Sequence, residues 1–400
     1  MSFRMTKCVR PCSRATVENV GTITKPSNIT MKPSKLKLKK KWCFPHHDHS
    51  PAPRPLSQRW QDYQGQDNWN GLLDPLDDTL RREIIRYGNF VEAAYCSCNF
   101  DPSSSSYASC RFPKSNLLSS SGFPDTGYRV TRNLTATSGI QLPAWGPSWM
   151  VVQSSWIGYV AVSHDRREIA RLGRRDVVIA LRGTATGLEW LENMRATLTP
   201  LNNHEDDDGD EPMVESGFLS LYTSASGDKP SLQSLVRDEI SKIMHKYGDE
   251  PLSLTITGHS LGAALATLAA YDIKKTFKQA PLVTVISFAG PRVGNWSFRC
   301  RLEEQGTKVL RIVNSDDVIT KVPGFVIDNN EAGWVRKLVE DMQWVYADVG
   351  CELRLSSRDA PGLNGINIAA CHELKTYLHL VSNCPFRATA RKMMSKALAQ

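Results

Sequence analysis

Apolar residues fall into two periods along this chain. Leu80, Ile84, Tyr87, Val91, Ala94 and Tyr95 recur at helical spacing behind Asp77 and Asp78, residues suited to capping a helix start. Leu232, Leu235, Val236, Ile240, Ile243 and Met244 mark a second amphipathic helix, and Leu261, Ala264, Leu265 and Leu268 a third. Residues 156–163, 176–181, 282–288 and 308–313 are short apolar runs that read as strands. Leu252, Leu254 and Ile256 alternate with Ser253, Thr255 and Thr257, the period-two pattern of another strand. From residue 156 onward strands and helices alternate, which predicts an α/β domain with a mostly parallel central sheet flanked by helices. Residues 46–76 and 100–122 read as irregular, the latter with four consecutive serines at 103–106.

The stretch 252–271 is uncharged and long enough to resemble a membrane span. Its middle, Gly258-His259-Ser260-Leu261-Gly262, reads instead as a turn between a strand and a helix. The uncharged stretch 133–164 holds three Trp, two Pro and three Gly and is too broken for one helix.

Charge changes the picture at one end. The net charge of +8 comes from residues 1–45, which hold eleven Lys/Arg and one acid, Glu18, for +10. Residues 46–400 hold 38 Lys/Arg against 40 Asp/Glu, for −2. A near-neutral body argues against a nucleic-acid-binding protein, which needs a basic face. The leader is rich in Ser, Thr and Lys and has no apolar stretch of the kind a secretory signal needs. It reads as a disordered plastid transit peptide, which predicts a chloroplast protein. Of ten cysteines, Cys8, Cys12 and Cys43 lie in the leader, leaving an odd, scattered seven that do not read as a disulfide framework. Cys96, Cys98 and Cys110 lie close together, but Cys-x-Cys is not the usual spacing of metal ligands. No metal and no cofactor are expected.

The chemistry concentrates at Gly258–Gly262. A Gly-x-Ser-x-Gly run between a strand and a helix sets its serine on a tight turn beside free helix N–H groups. Gly258 and Gly262 allow the close backbone approach that such a turn needs. A serine hydroxyl needs a base to take its proton and an acid to orient that base. Of nine histidines only His372 and His379 follow Ser260, as they do in the α/β-hydrolase order Ser, acid, His. His372 opens a helical pattern after an irregular stretch. Burial among Tyr377, Leu378, Leu380 and Val381 suits His379 as a structural residue. Asp316 and Asp317 both stand just beyond the strand 308–313, where sites form in parallel sheets. Two oxyanion donors are expected, the Leu261 amide and Thr184 at the end of the strand 176–181.

Several ordered segments together resemble the class 3 lipase family over roughly 150–385. They are the 258–262 motif with its alanine-rich helix, Arg182-Gly183-Thr184, Glu215-Ser-Gly-Phe-Leu219, Phe288-Ala-Gly-Pro-Arg-Val-Gly294 and Val313-Asn-Ser-Asp-Asp317. The resemblance implies the α/β-hydrolase fold, with the nucleophile on a strand–turn–helix elbow. It assigns the acid to Asp317, in the Asn-x-x-Asp element, and the base to His372, which precedes a Leu and an aromatic. Residues 60–71, Leu73-Asp-Pro-Leu76 and Lys321-Val-Pro-Gly324, with the leader, resemble plant plastid class I phospholipases A1, the anther-dehiscence-type acylhydrolases. That implies a phospholipase A1 releasing the sn-1 fatty acid of phospholipids, with galactolipids and triacylglycerol as further substrates.

The expected organisation is a transit peptide at 1–45, a helical and irregular extension at 46–149, a catalytic domain at 150–385 and a basic tail at 386–400. Residues 186–195 are a lid candidate, 205–211 a solvated acidic loop and 386–399 a surface or interfacial helix. The expected partners are acyl lipids of membranes or lipid droplets, met by peripheral contact. No nucleic acid and no stable protein partner are read. Two other functions compete: a lipase-like interaction protein without chemistry, and a soluble small-ester esterase.

Overall fold

The computed structural model describes residues 55–137, 154–184, 197–201, 211–323, 345–359 and 368–384. The expected transit peptide, the lid candidate, nearly all of the acidic loop and the basic tail lie outside the described residues. Helices α1 (Leu56–Tyr63), α2 (Asp78–Ser97) and the single turn α3 (Leu117–Ser120) lead to strand β1 (Tyr128–Thr137). Strand β2 (Ser154–Ser163), helix α4 (Arg166–Leu172) and strand β3 (Arg175–Leu181) follow. Short strands β4 (Leu198–Pro200) and β5 (Met213–Glu215) precede helices α5 (Ser216–Thr223) and α6 (Leu232–Tyr247). Then come β6 (Leu252–His259), α7 (Leu261–Thr276), β7 (Leu282–Phe288), α8 (Trp296–Glu304), β8 (Lys308–Asn314) and β9 (Cys351–Leu355). The described chain ends with the short α9 (Ile368–Cys371) and α10 (Leu374–Asn383).

The central sheet has seven strands in the order β1-β2-β3-β6-β7-β8-β9. The pairs β1–β2 and β2–β3 are antiparallel, and every neighbour from β3 to β9 is parallel. This is the mostly parallel, helix-flanked sheet that the alternating pattern predicts, and it agrees with the α/β-hydrolase fold that the family resemblance implies. The uncharged 252–271 stretch divides into β6 and α7, and no helix among the described residues is long and apolar enough to cross a membrane.

Both faces of the sheet are covered, as parallel strands require. One face presents Val177, Ile179, Leu181, Leu254, Ile256, Val283 and Val285 to the apolar sides of α5, α6 and α7. The other presents Val178, Ala180, Ile286 and Phe288 to α2 and α10, through Ile84, Tyr87, Val91, Tyr377 and Val381. The helix α2 forms where the spacing places it: Asp77 caps it by accepting from the Thr79 amide at 2.8 Å and the Leu80 amide at 3.1 Å. The segment 46–149, expected as an extension, therefore supplies both the edge strand β1 and the helix that covers one face of the sheet.

That covered face is also polar. Ser253 and Thr255 of β6 are fully buried and bond to groups the N-terminal segment helps assemble. Thr255 Oγ1 donates to Gln64 Oε1 at 2.9 Å, and Ser253 Oγ donates to Asp176 Oδ1 at 2.8 Å. Asp176 also accepts from Tyr128 Oη at 2.7 Å and Tyr87 Oη at 3.1 Å, and pairs with Arg86 at 3.3 Å. Burial alone pushes this carboxyl up, but Arg174, Arg86 and the hydroxyl donors outweigh it and hold it below the usual carboxylate range. The cluster joins α2, β1, β3 and β6 at the end of the sheet opposite the elbow. Cys98 and Cys110 face each other across an isolated antiparallel bridge nearby in sequence, as free thiols.

Removing one member of a buried charge cluster strands its partners. The Asp176→Ala variant is therefore expected to lose about 3–5 kcal/mol of unfolding free energy, read from urea denaturation.

Candidate active site

Parallel strands bring their C-terminal ends to one edge, and all the candidate residues gather there. The register places Leu181 of β3 opposite Gly258 of β6, and His259 opposite Phe288 of β7. Beyond His259 the chain turns sharply into α7. Ser260 takes the turn with φ 56° and ψ −125°, a conformation that side-chain-bearing residues rarely hold. Its amide donates to the Phe288 carbonyl at 3.0 Å, which ties the turn to the next strand.

Glycines make the turn possible by what they lack. A Cβ on Gly258 would run into the Gly262 carbonyl, and one on Gly262 into the carbonyls of Leu181 and Arg182. A Cβ on Gly183 would lie 3.0 Å from Ser260 Cβ. The end of β3 is thus pressed against the elbow, and Thr184 follows directly. Its hydroxyl oxygen is buried and has no hydrogen-bond partner among the described residues. The Leu261 amide, first in α7, has no acceptor within its own helix. Both groups expected as oxyanion donors therefore flank the serine.

His372 lies in the turn between α9 and α10 and reaches across the strand ends. Its Nε2 is 2.9 Å from Ser260 Oγ, and its Nδ1 is 2.7 Å from Asp317 Oδ2. A carboxylate only accepts, so the neutral imidazole carries its proton on Nδ1 and accepts the Ser260 hydroxyl at Nε2. Asp317 is fully buried in the loop after β8. It also accepts from Tyr377 Oη at 2.7 Å and from the Ile319 amide at 2.9 Å. Asn314 fastens the same loop, donating from Nδ2 to the Cys371 carbonyl at 3.1 Å, one residue before His372.

Of the two acids left open by position, Asp316 turns away. It accepts from the Ser357 amide at 3.0 Å and pairs with exposed Arg358 at 3.0 Å. Of the two histidines, His379 is seven residues further along, and its expected burial is overturned. It is exposed on α10 and contacts Asn383 of its own helix, because the buried stripe of that helix runs through Leu374, Tyr377, Leu380 and Val381. In sequence Tyr377 counts as an apolar neighbour of His379 and as the aromatic that follows His372; its hydroxyl on Asp317 has no separate signal. The same holds for Tyr95 and His259, which bond to each other at 2.7 Å beside the serine. In the pattern Tyr95 is an apolar-face residue and His259 a variable position within the motif.

A serine, a histidine and a buried carboxylate in hydrogen-bonded line, on the elbow of such a sheet, are the geometry of a serine hydrolase of the lipase class. A profile of the family Lipase (class 3) matches residues 178–327. The chloroplastic phospholipase A(1) DAD1 of Arabidopsis thaliana is 59% identical, over 94% of this chain and 92% of that one. The chloroplastic galactolipase DONGLE of the same plant is 43% identical, over 82% of this chain and 70% of that one. Among solved structures, the Lip2 lipase of Yarrowia lipolytica is 17% identical, with a TM-score of 0.46 over 77% of this chain and 93% of that one. The chain belongs to the class 3 lipase family, within its plant phospholipase A1 group.

The exposed position of His379 removes the structural role that burial would give it. His379→Ala should shift unfolding free energy by less than about 0.5 kcal/mol. Gly262→Ala, forced against two carbonyls of β3, should lose about 1–3 kcal/mol in the same urea titration.

Proposed function

We propose that this protein hydrolyses the sn-1 acyl ester of membrane phospholipids through Ser260, His372 and Asp317. The observation that carries the reading is the pair of hydrogen bonds made by one imidazole, 2.9 Å to Ser260 Oγ and 2.7 Å to Asp317. In the proposed reaction His372 Nε2 takes the hydroxyl proton as Ser260 Oγ attacks the ester carbonyl carbon. The carbonyl oxygen gains charge and is met by the Leu261 amide and by Thr184 through its amide and hydroxyl. The bond to the glycerol oxygen breaks, and His372 gives its proton to that leaving oxygen. Water then attacks the acyl-serine with the same histidine as base, releasing the fatty acid and restoring Ser260. Asp317 stays ionised throughout and holds the imidazole in the tautomer that faces the serine.

Substrate class follows from the relatives, two of which are named for phospholipid and galactolipid hydrolysis. Such lipids sit in a bilayer, so the enzyme works at a membrane surface. The plastid is the proposed site of action: those relatives are labelled chloroplastic, and residues 1–45 carry the basic, acid-poor composition of an import signal. The intact charge line favours this reading over that of a lipase-like interaction protein.

Ser260→Ala should lower turnover on the order of 10⁶-fold while the protein stays folded. Asp317→Asn should cost about 10⁴-fold by misplacing the histidine proton, and Asp316→Asn should cost little. Assays with phosphatidylcholine, monogalactosyldiacylglycerol and triacylglycerol, with the released acyl position determined, check both the class and the sn-1 assignment. Near-normal hydrolysis by folded Ser260→Ala would end the assignment. A reporter fused to residues 1–60 should enter chloroplasts; a cytosolic or mitochondrial reporter would contradict the address.

A further inference from the structure

One hydrogen-bonded chain lies beneath the catalytic line and touches both sides of it. The Gly183 amide donates to Tyr95 Oη at 2.9 Å. Tyr95 Oη is 2.7 Å from His259 Nδ1, and His259 Nε2 is 2.7 Å from the carbonyl oxygen of His372. The proton positions follow from the ends. A carbonyl only accepts, so His259 carries its proton on Nε2 and donates it to His372. Its Nδ1 is then a bare lone pair that accepts the Tyr95 hydroxyl. The Tyr95 oxygen in turn accepts the Gly183 amide. Every donor has one acceptor, and the chain has one polarity.

The three anchored points are the ones catalysis needs fixed. Gly183 precedes Thr184 on the oxyanion side and packs against Ser260. His259 is the residue before the nucleophile. His372 is the base, and its backbone carbonyl is the end of the chain. The ring of His259 also lies 4.9 Å, centre to centre, from that of His372. Tyr95 comes from α2, outside the segment matched by the family profile. The same helix grips α10, where Arg81 Nη1 donates to the Val381 carbonyl at 2.6 Å and Gly88 packs against Leu378.

We propose that Tyr95 and His259 are positioning residues that hold the His372 backbone and the Gly183–Thr184 strand end in register with Ser260. The proposal rests on the triad reading given above. Neither residue touches the ester. They act by fixing where the His372 ring starts from, so that Nε2 meets Ser260 Oγ while Nδ1 stays on Asp317. Without the Tyr95 hydroxyl the Gly183 amide and His259 Nδ1 both lose a partner, and His259 is free to reorient away from the His372 carbonyl.

The test uses the full chain with a soluble short-chain nitrophenyl ester, and reads kcat and KM separately with thermal unfolding alongside. Tyr95→Phe removes one oxygen and should lower kcat about 10–100-fold with KM within about twofold, since misplacement by 1 Å can cost on the order of 10²-fold. His259→Leu should fall in the same range. His259→Gln, whose side-chain amide can still donate to the His372 carbonyl, should recover most of the loss. The double variant Tyr95→Phe with His259→Leu should be no slower than the slower single, because both break one chain. Wild-type kcat in Tyr95→Phe and His259→Leu would overturn the proposal. So would equal losses in His259→Leu and His259→Gln, or losses that merely track the folded fraction. If Tyr95→Phe does not fold, the Leu and Gln variants at 259 decide by themselves. Ser260→Ala is measured in parallel: inactive Ser260→Ala with unaffected Tyr95→Phe defeats this inference alone, whereas active Ser260→Ala defeats the triad reading and this inference with it.

Discussion

The contact on which the site depends is backbone against backbone at the turn from β6 into α7. Gly258 and Gly262 lie against each other, and Gly262 lies against the carbonyls at the end of β3. No side chain fits between them. That closeness sets Ser260 at positive φ, lifts its hydroxyl above the sheet and fixes Gly183 beside it. One steric fact therefore places Ser260, the proposed nucleophile, and both oxyanion candidates. The parallel order does the rest. The acid loop follows β8, two strands from β6, and the imidazole spans the gap from the turn before α10.

A strained turn persists only if its surroundings hold it. Here the support comes from both faces of the sheet. The apolar face packs α7, the helix that begins just after Ser260, onto β3, β6 and β7. The opposite face is built by α2, with apolar contacts along its middle and polar contacts at each end. Its N-terminal half bonds to the buried Asp176 cluster, and Tyr95, near its C-terminal end, bonds beneath the serine. A helix that sequence pattern assigns to an extension is thus part of the frame of the site.

Much of this was legible in the residues. The strands and the elbow with Ser260 follow from period and spacing, because those signals are local; spacing narrows the acid to Asp316 or Asp317 and the base to His372 or His379, and the family resemblance selects Asp317 and His372. What was not legible is what covers each face. Alternation of Leu254 and Ile256 with Ser253 and Thr255 predicts a strand and leaves open what its hydroxyl face meets. In the fold Ser253 and Thr255 are fully buried and bonded to Asp176 and Gln64, residues 77 and 191 positions away. Small hydroxyl residues serve water or a buried partner equally well, and sequence spacing does not say which. His379 failed in the opposite sense: apolar neighbours in sequence suggested burial, but on a helix the adjacent positions point elsewhere. Tyr95 was read by its ring and not by its hydroxyl, which acts on residues 88 and 164 positions distant.

Two histidine rings stand 4.9 Å apart at this site, and the proposed chemistry needs a proton to settle on only one of them. Their surroundings separate them. His259 is buried without a carboxylate on either nitrogen; burial first, and the neighbouring His372 second, push it down to about 3. Its Nδ1 is occupied by the Tyr95 hydroxyl and its Nε2–H by a carbonyl, so it stays neutral near physiological pH. His372 instead has the Asp317 carboxylate 2.7 Å from its Nδ1, the partner that holds the ring's orientation in the proposed chemistry. In the proposed reaction the proton leaving Ser260 therefore goes to His372 Nε2, which lies 2.9 Å from Ser260 Oγ. The neutral His259 ring also donates to the His372 carbonyl, so the hydrogen bond that fixes its tautomer ties it to the backbone of the proposed base.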